Sequence, residues 1–164
     1  MEIPHLVIAL AMFLCALVAG FLLAFTMIVM PGIQTLDDRG FLKSFKVMDG
    51  IIQNNHPGFM LMWAGSVLAI LAAAWFGYAA LEGTQQLLVF GAVALYLFGA
   101  QLPTAIVNIP LNNQLQAHDL DAMDAPALQA AREVFEARWI RWNTIRTVVT
   151  IVVVLMLLVV ILPL

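Results

Sequence analysis

The sequence predicts an all-α fold. It reads as a polytopic membrane four-helix bundle, with an interfacial helix between the first two spans and a long, cytoplasmically extended fourth helix. Three observations predict this. Four apolar runs, Leu6–Met30, Phe59–Leu81, Leu87–Val107 and Thr147–Leu164, approach or exceed the roughly 20 residues a helix needs to cross a hydrocarbon core. Charged residues make up only 10% of the chain, against about a quarter in a soluble domain. All seven Lys and Arg fall in two connections or at their helix boundary: Arg39, Lys43 and Lys46 between the first two runs, and Arg132, Arg138, Arg141 and Arg146 between the last two. The positive-inside rule then makes both connections cytoplasmic and both termini external. The expected location is an inner membrane, and residues 1–164 form a single integral membrane domain with spans near 6–30, 59–81, 87–107 and 145–162.

The first run is expected to be a retained helix, because it lacks a basic start and "AFTMIVMPG" is a poor cleavage site. In it Ala16, Gly20 and Ala24 recur every four residues, as Gly65, Ala69, Ala73 and Gly77 do in the second run. Such small-residue ridges let membrane helices approach closely. In the connection "DDRGFLKSFKVMDGIIQNN", Phe41, Phe45, Met48 and Ile52 share a helical face, with Lys43, Lys46, Asp49 and Gln53 largely elsewhere, as in an interfacial amphipathic helix. Gly40 and Gly50 weaken that helix, and Pro57–Gly58 punctuate the entry to the second span. In the other connection Asp124 suits an N-cap and Pro126 a first helical turn. No breaker follows until Pro163, so a helix over 126–162 of roughly 55 Å is predicted.

Polar residues cluster at one level. Gln101, Thr104, Asn108 and Asn112 are spaced 3, 4 and 4 and share a face if the third helix continues through Pro103 and Pro110. Those prolines free backbone carbonyls, which need partners in protein or a wet cavity. On the fourth helix Trp139, Trp142, Asn143, Arg146 and Thr150 form a matching stripe. Facing each other, the two stripes wall a cytoplasm-facing pocket of a cation, amides and indoles. Asn54, Asn55 and His56, entering the second span, and Gln34, after Pro31–Gly32, are expected at similar depth. The competing reading makes Trp139, Trp142 and Arg146 interfacial anchors and lets Asn108 and Asn112 repair a proline-broken helix. If Arg146 turns inward, Asn108, Asn112 and the carbonyls freed by Pro110 are its expected acceptors, with Thr104 a weaker one.

Several chemistries find no support. The lone Cys15 excludes an intramolecular disulfide, and the three histidines form no metal or haem constellation. There is no phosphate loop, no nucleophile triad and no basic surface for nucleic acid. The acids of "HDLDAMD" read as solvated loop residues. The lipid bilayer is the expected partner, no cofactor is called for, and a homo-oligomer is compatible with the sequence.

"AFTMIVMPG", "NIPLN" and "RWIRWNTIRT" resemble the anthrone oxygenase-like family of small four-helix membrane proteins. It is largely a domain of unknown function, and the anthrone oxygenases of polyketide pathways are its characterised members. The resemblance spans about Gly20 to Thr150. Its most specific pieces are N-x-P-L-N and W-x-x-W-N-x-x-R, carried over onto Met30, Pro31, Gly32, Asn108, Pro110, Leu111, Asn112, Trp139, Trp142, Asn143 and Arg146. The segment "QNNHPGF" is longer than the family pattern, which leaves the role of His56 open. The resemblance implies an oxygenase that needs neither metal nor flavin and acts on a flat aromatic, anthrone-like substrate. Asn108, Asn112, Asn143, Arg146 and His56 would then be catalytic, and Trp139, Trp142, Gln101, Asn54 and Asn55 would bind substrate. A non-enzymatic membrane protein that binds or passes a small apolar molecule, or packs against a membrane partner, fits the same composition.

Overall fold

The computed structural model describes residues 3–162, all helix and connection, with no strand among them. The helices are α1 Ile3–Gln34, α2 Asp38–Gln53, α3 Pro57–Ala80, α4 Gly83–Ala117 and α5 Ala125–Ile161. All but α2 are long and apolar enough to cross a membrane. At one end lie Ile3, Ile161 and the short turn between α3 and α4; at the other lie α2 and the connection 118–124. Both α1 and α4 run well past the apolar stretches at 6–30 and 87–107. Asp124 caps α5 by accepting from the Ala127 N–H at 3.0 Å, with Pro126 in the first turn. Pro163, the expected breaker, lies outside the described residues.

The helices outrun the sequence expectation because their prolines are absorbed. Proline cannot donate, and in an α-helix its ring strikes the carbonyl four residues back. Pro31, Pro103 and Pro110 each lie two residues after a five-residue π turn: Phe25–Val29, Leu97–Gln101 and Thr104–Asn108. In each case the residue before the proline donates its N–H to the carbonyl five back: Met30 to Phe25, Leu102 to Leu97 and Ile109 to Thr104. The wider register lets the helix pass the proline without ending.

Two packed layers fill the bundle. Toward the termini, Ile8, Ala11, Cys15, Ile70, Ala73, Val89, Ala92, Tyr96, Val153 and Leu157 form one core. Toward α2, Met30, Phe41, Leu42, Phe45, Leu111, Phe135 and Trp139 form another. The small-residue ridge of α3 is largely inside, with Ala69, Ala73 and Gly77 buried. The ridge expected on α1 is not. Ala16, Gly20 and Ala24 are exposed, and α1 instead buries Ala11, Cys15, Val18, Ala19 and Leu22. Small size permits close approach but does not say which face is approached. Closer contacts come from glycines of α4. A Cβ on Gly99 would stand 2.9 Å from Val149 Cγ1, and one on Gly91 3.0 Å from Met156 Cε.

The helix α2 is amphipathic as expected, but it lies over the bundle as a roof. Phe41, Leu42, Phe45 and also Asp49 point down into the protein. Asp49 had been placed largely off the apolar face; it follows Phe41 and Phe45 at steps of four and shares their side. Many tertiary hydrogen bonds fasten this roof. Arg39 donates to the carbonyls of Leu120 and Met123, Lys46 Nζ to His118 O at 2.5 Å, Gln116 Nε2 to Lys46 O at 2.9 Å and Gln53 Nε2 to Asn113 Oδ1 at 3.1 Å. Arg132 of α5 pairs with Asp38 at 3.2 Å and lies over the Phe41 ring.

Gly99→Ala is expected to destabilise by about 1–3 kcal/mol, because the short Val149 side chain has nowhere to retreat. Gly20→Ala, in open space, should be neutral or stabilising by up to about 1 kcal/mol. Unfolding titrations in detergent measure both, and Val149→Ala should rescue Gly99→Ala.

Candidate functional site

Beneath the roof lies a cavity of about 270 Å³. Four long helices and α2 all contribute to its wall. Phe21, Leu22 and Phe25 come from α1, Phe45, Asp49 and Ile52 from α2, and Phe59, Met60 and Trp63 from α3. Thr104, Asn108, Ile109 and Asn112 come from α4, and Trp139, Asn143 and Arg146 from α5. The wall is mainly apolar, with six aromatic side chains. Trp139 meets Phe25 and Phe45 at centroid distances of 5.7 and 5.0 Å, and Phe59 stacks on Trp63 at 5.4 Å. A second recess of about 330 Å³ between the end of α4 and the start of α5 offers little but alkyl groups, Gln114, His118 and Phe135, and holds no comparable polar set.

The polar groups of the cavity divide into two sets. The first is built on Asp49, 3% exposed. Its Oδ1 accepts from Asn112 Nδ2 at 2.7 Å, and its Oδ2 from Gln53 Nε2 and Gln116 Nε2, each at 2.9 Å. Asn112 Oδ1 in turn accepts from Trp139 Nε1 at 2.8 Å. A carboxylate offers about four acceptor positions, so three neutral N–H groups leave it one.

The second set is built on Arg146, 4% exposed. Nη1 donates to Thr104 Oγ1 at 2.8 Å and Nη2 to Asn143 Oδ1 at 3.0 Å, while Nε has no partner. Asn143 is itself held by donating to Leu22 O at 3.0 Å and Thr26 Oγ1 at 2.8 Å. Asn108 donates weakly to Trp139 O at 3.4 Å, and its Oδ1 is buried without a partner. No ion pair joins Asp49 to Arg146 among the described residues. The cavity therefore holds an acceptor-only acid and a donor-only cation, each supported by neutral groups, plus an idle donor and an idle acceptor.

The residues singled out in the sequence separate cleanly. Asn108, Asn112, Asn143, Arg146 and Trp139 all line the cavity. Gln101 stands just behind it, accepting from Trp63 Nε1 at 2.9 Å. Trp142 is half-buried against the roof-side core and does not line the cavity. Asn54, Asn55 and His56 are exposed. They make the corner between α2 and α3: Asn54 ends α2, Asn55 takes the left-handed φ of 57° that asparagine tolerates, and His56 caps α3 by accepting from the Phe59 N–H at 3.4 Å. Their polarity serves a turn, and they do not line the cavity, because they form the exposed corner where the chain passes from α2 into α3. Gln34 is also remote, bonded to Glu136 at 2.6 Å. The acceptor for Arg146 on α4 is Thr104, not Asn108 or Asn112. The second π turn of α4 begins at Thr104, and both it and Asn108 line the cavity.

Sequence reasoning missed Asp49, Thr26 and the aromatic residues of α1 and α3. For Asp49 the signal was present in the spacing 41, 45, 49. For Trp63 and Phe21 no local signal distinguishes a cavity wall from a lipid-facing side chain. Among the described residues no three His, Cys, Asp or Glu come together as a metal site.

A family model described as anthrone oxygenase matches residues 59–156. No curated protein and no solved structure matches the chain.

Replacing Asp49 by Leu removes the acceptor shared by three amides and loosens the roof. Gln53 and Gln116 keep Asn113 and the Lys46 carbonyl as acceptors, while Asn112 Nδ2 loses its partner, at about 1–3 kcal/mol. Amide hydrogen exchange should accelerate across Asp38–Gln53 while α1 and α3 stay protected; an unchanged pattern would show that packing alone holds α2.

Proposed function

The chain belongs to the anthrone oxygenase family, and from that premise we propose that the cavity binds a flat aromatic, anthrone-like substrate and oxygenates it without a cofactor. The observation that carries the reading is the pairing, in one aromatic-walled cavity, of a carboxylate held by neutral donors with a guanidinium that keeps a free N–H. The cavity lies near the lower end of the ~300–1,000 Å³ typical of small-molecule sites.

The chemistry asks little of the protein. A ring methylene flanked by aromatic rings and conjugated to a ketone is acidic. Asp49 removes one of its protons, using the acceptor position its three amide partners leave. The negative charge spreads to the ketone oxygen, where Arg146 Nε–H donates. Trp139, Phe25, Phe45 and Phe59 confine the rings. The anion is electron-rich enough to reduce dioxygen, and a C–O bond forms at the former methylene to give a peroxide. Loss of the second methylene hydrogen as a proton, with cleavage of the O–O bond, leaves a ketone and releases water. The balance is anthrone plus O₂ to quinone plus H₂O: the carbon is oxidised, and dioxygen is the only oxidant. Asn108 Oδ1 is free to accept from a hydroxyl of substrate or peroxide. Asn112 and Asn143 act as positioning residues, through Asp49 and Arg146 respectively. Support for catalysis over passage comes from the packing on either side. The fastened roof closes one end, and the core around Ile8, Ile70, Tyr96 and Val153 closes the other.

Oxygen consumption with anthrone is the direct test. Purified protein should consume one O₂ per anthrone, and Asp49→Asn should lower the rate by about 10²–10⁴. Arg146→Lys keeps the charge but loses the fixed fork, and should lower the rate by about 10²–10³ while the protein still inserts. Wild-type rates in both variants would remove the two residues from the mechanism.

The same reading has the roof facing the cytoplasm, supported by the seven basic residues on its side. Reporter fusions at the C-terminus should be active outside only; activity inside would reverse the orientation.

A further inference from the structure

Resting on the cavity as substrate site, the structure raises the question of how a substrate reaches it. The route from the aqueous end is the roof, and the roof is tied down. Arg39, Lys46, Gln53, Asn112 and Gln116 connect α2 to the end of α4 and to the connection beyond it, and Phe41 and Phe45 pack on Phe135 at 6.3 and 4.6 Å. Lifting α2 breaks all of these and uncovers Asp49.

The side of the bundle is different. The helices α3 and α4 pack together from their shared turn as far as Tyr96, where Ser66 and Tyr96 hydrogen-bond at 2.6 Å. The Trp63–Gln101 bond is the last hydrogen bond between them. Beyond it, toward α2, the two helices part, and the cavity lies in the gap. Phe59, Met60 and Trp63 form one side of that gap and Thr104, Asn108 and Ile109 the other. Beyond Trp63 no hydrogen bond crosses this gap among the described residues. Met60 and Ile109 line the cavity and are also 42% and 46% exposed, one such side chain on each helix. Met60 stands one turn into α3.

We propose that this cleft between α3 and α4 is a lateral portal, through which a flat apolar aromatic enters from the bilayer. The chemistry of the rim selects such a ligand. Leaving the acyl layer past Met60 and Ile109 exposes no polar protein group, whereas the aqueous route requires an apolar ligand to cross water and to unmake the roof. Methionine is the adaptable apolar side chain, unbranched with three rotatable bonds, and suits a gate that swings aside. The ligand meets Arg146 and Asp49 only once inside.

A passage differs from a binding wall in kinetics, since narrowing it slows entry and exit equally and leaves affinity alone. The probe is anthrone supplied in liposomes under anaerobic conditions, with its association and dissociation followed by stopped-flow quenching of tryptophan fluorescence. Met60→Phe combined with Ile109→Phe should lower both rate constants by about tenfold at unchanged Kd. Met60→Ala with Ile109→Ala should raise both, which keeps the test open if the larger pair inserts poorly. Arg39→Ala and Lys46→Ala, which loosen the roof without touching the cavity, should leave both rates as they are. Faster binding in the roof variants, with no response at the rim, would overturn the portal and leave the substrate site standing. A change in Kd matching the change in association rate would mean that Met60 and Ile109 hold the bound ligand and do not gate its passage, and would also overturn the portal. Failure of anthrone to bind wild-type protein at all would overturn the substrate reading and the portal with it.

Discussion

In an apolar surrounding every polar group must find its partner inside the protein, and the architecture of this chain follows from that constraint. It acts first on the backbone. Three prolines interrupt the long helices, and each withdraws one donor where no water stands ready to replace it. The answer at all three is a turn in the wider register two residues earlier, so that donors reach the carbonyl five back. The helices stay continuous, and their side-chain faces rotate. Thr104 and Asn108, at the two ends of one such turn, both come to the cavity side. The irregularity that accommodates proline thus sets the polar register of α4.

The same constraint acts on side chains. Asp49 and Arg146 are almost fully buried and do not pair with each other. Direct pairing would satisfy both and leave nothing for a third molecule. Each is instead held by neutral groups. Three amides surround the carboxylate, while a threonine and an asparagine receive the guanidinium. Trp139 touches both sets: its indole donates to Asn112, and the Arg146 guanidinium lies over its ring at 6.0 Å. Neutral partners hold the charges in place but do not cancel them, which is the condition a proton transfer and a developing oxyanion require.

The roof and the parted helices are two further consequences of one packing choice. Because α2 turns Phe41, Phe45 and Asp49 downward, it closes the aqueous end and brings the acid into the cavity. Because α3 and α4 are tied by hydrogen bonds only as far as Trp63 and Gln101, the remaining length can diverge. Space opens where the polar groups lie and closes where Ile8, Ile70, Tyr96 and Val153 interdigitate.

By itself the sequence determined a good deal. Apolar run length and charge distribution specify four long helices, because the cost of polar groups in hydrocarbon leaves no other arrangement. Asp124 and Pro126 mark the start of α5 because capping is local chemistry. The spacing of Asn143 and Arg146 places them on one face with Trp139, because helical periodicity is also local. Tertiary structure decided what depends on contacts between distant segments. Asp49 became part of the site only when α2 folded over the bundle, although its step of four from Phe45 was legible. The ridge Ala16–Gly20–Ala24 turned outward because packing against α3 and α5 chose another side of α1. Asn54, Asn55 and His56 became a corner, since the chain reverses before it re-enters the bundle. Thr104, not the asparagines, received Arg146 because a π turn shifts the face of α4 by an amount that residue spacing does not encode.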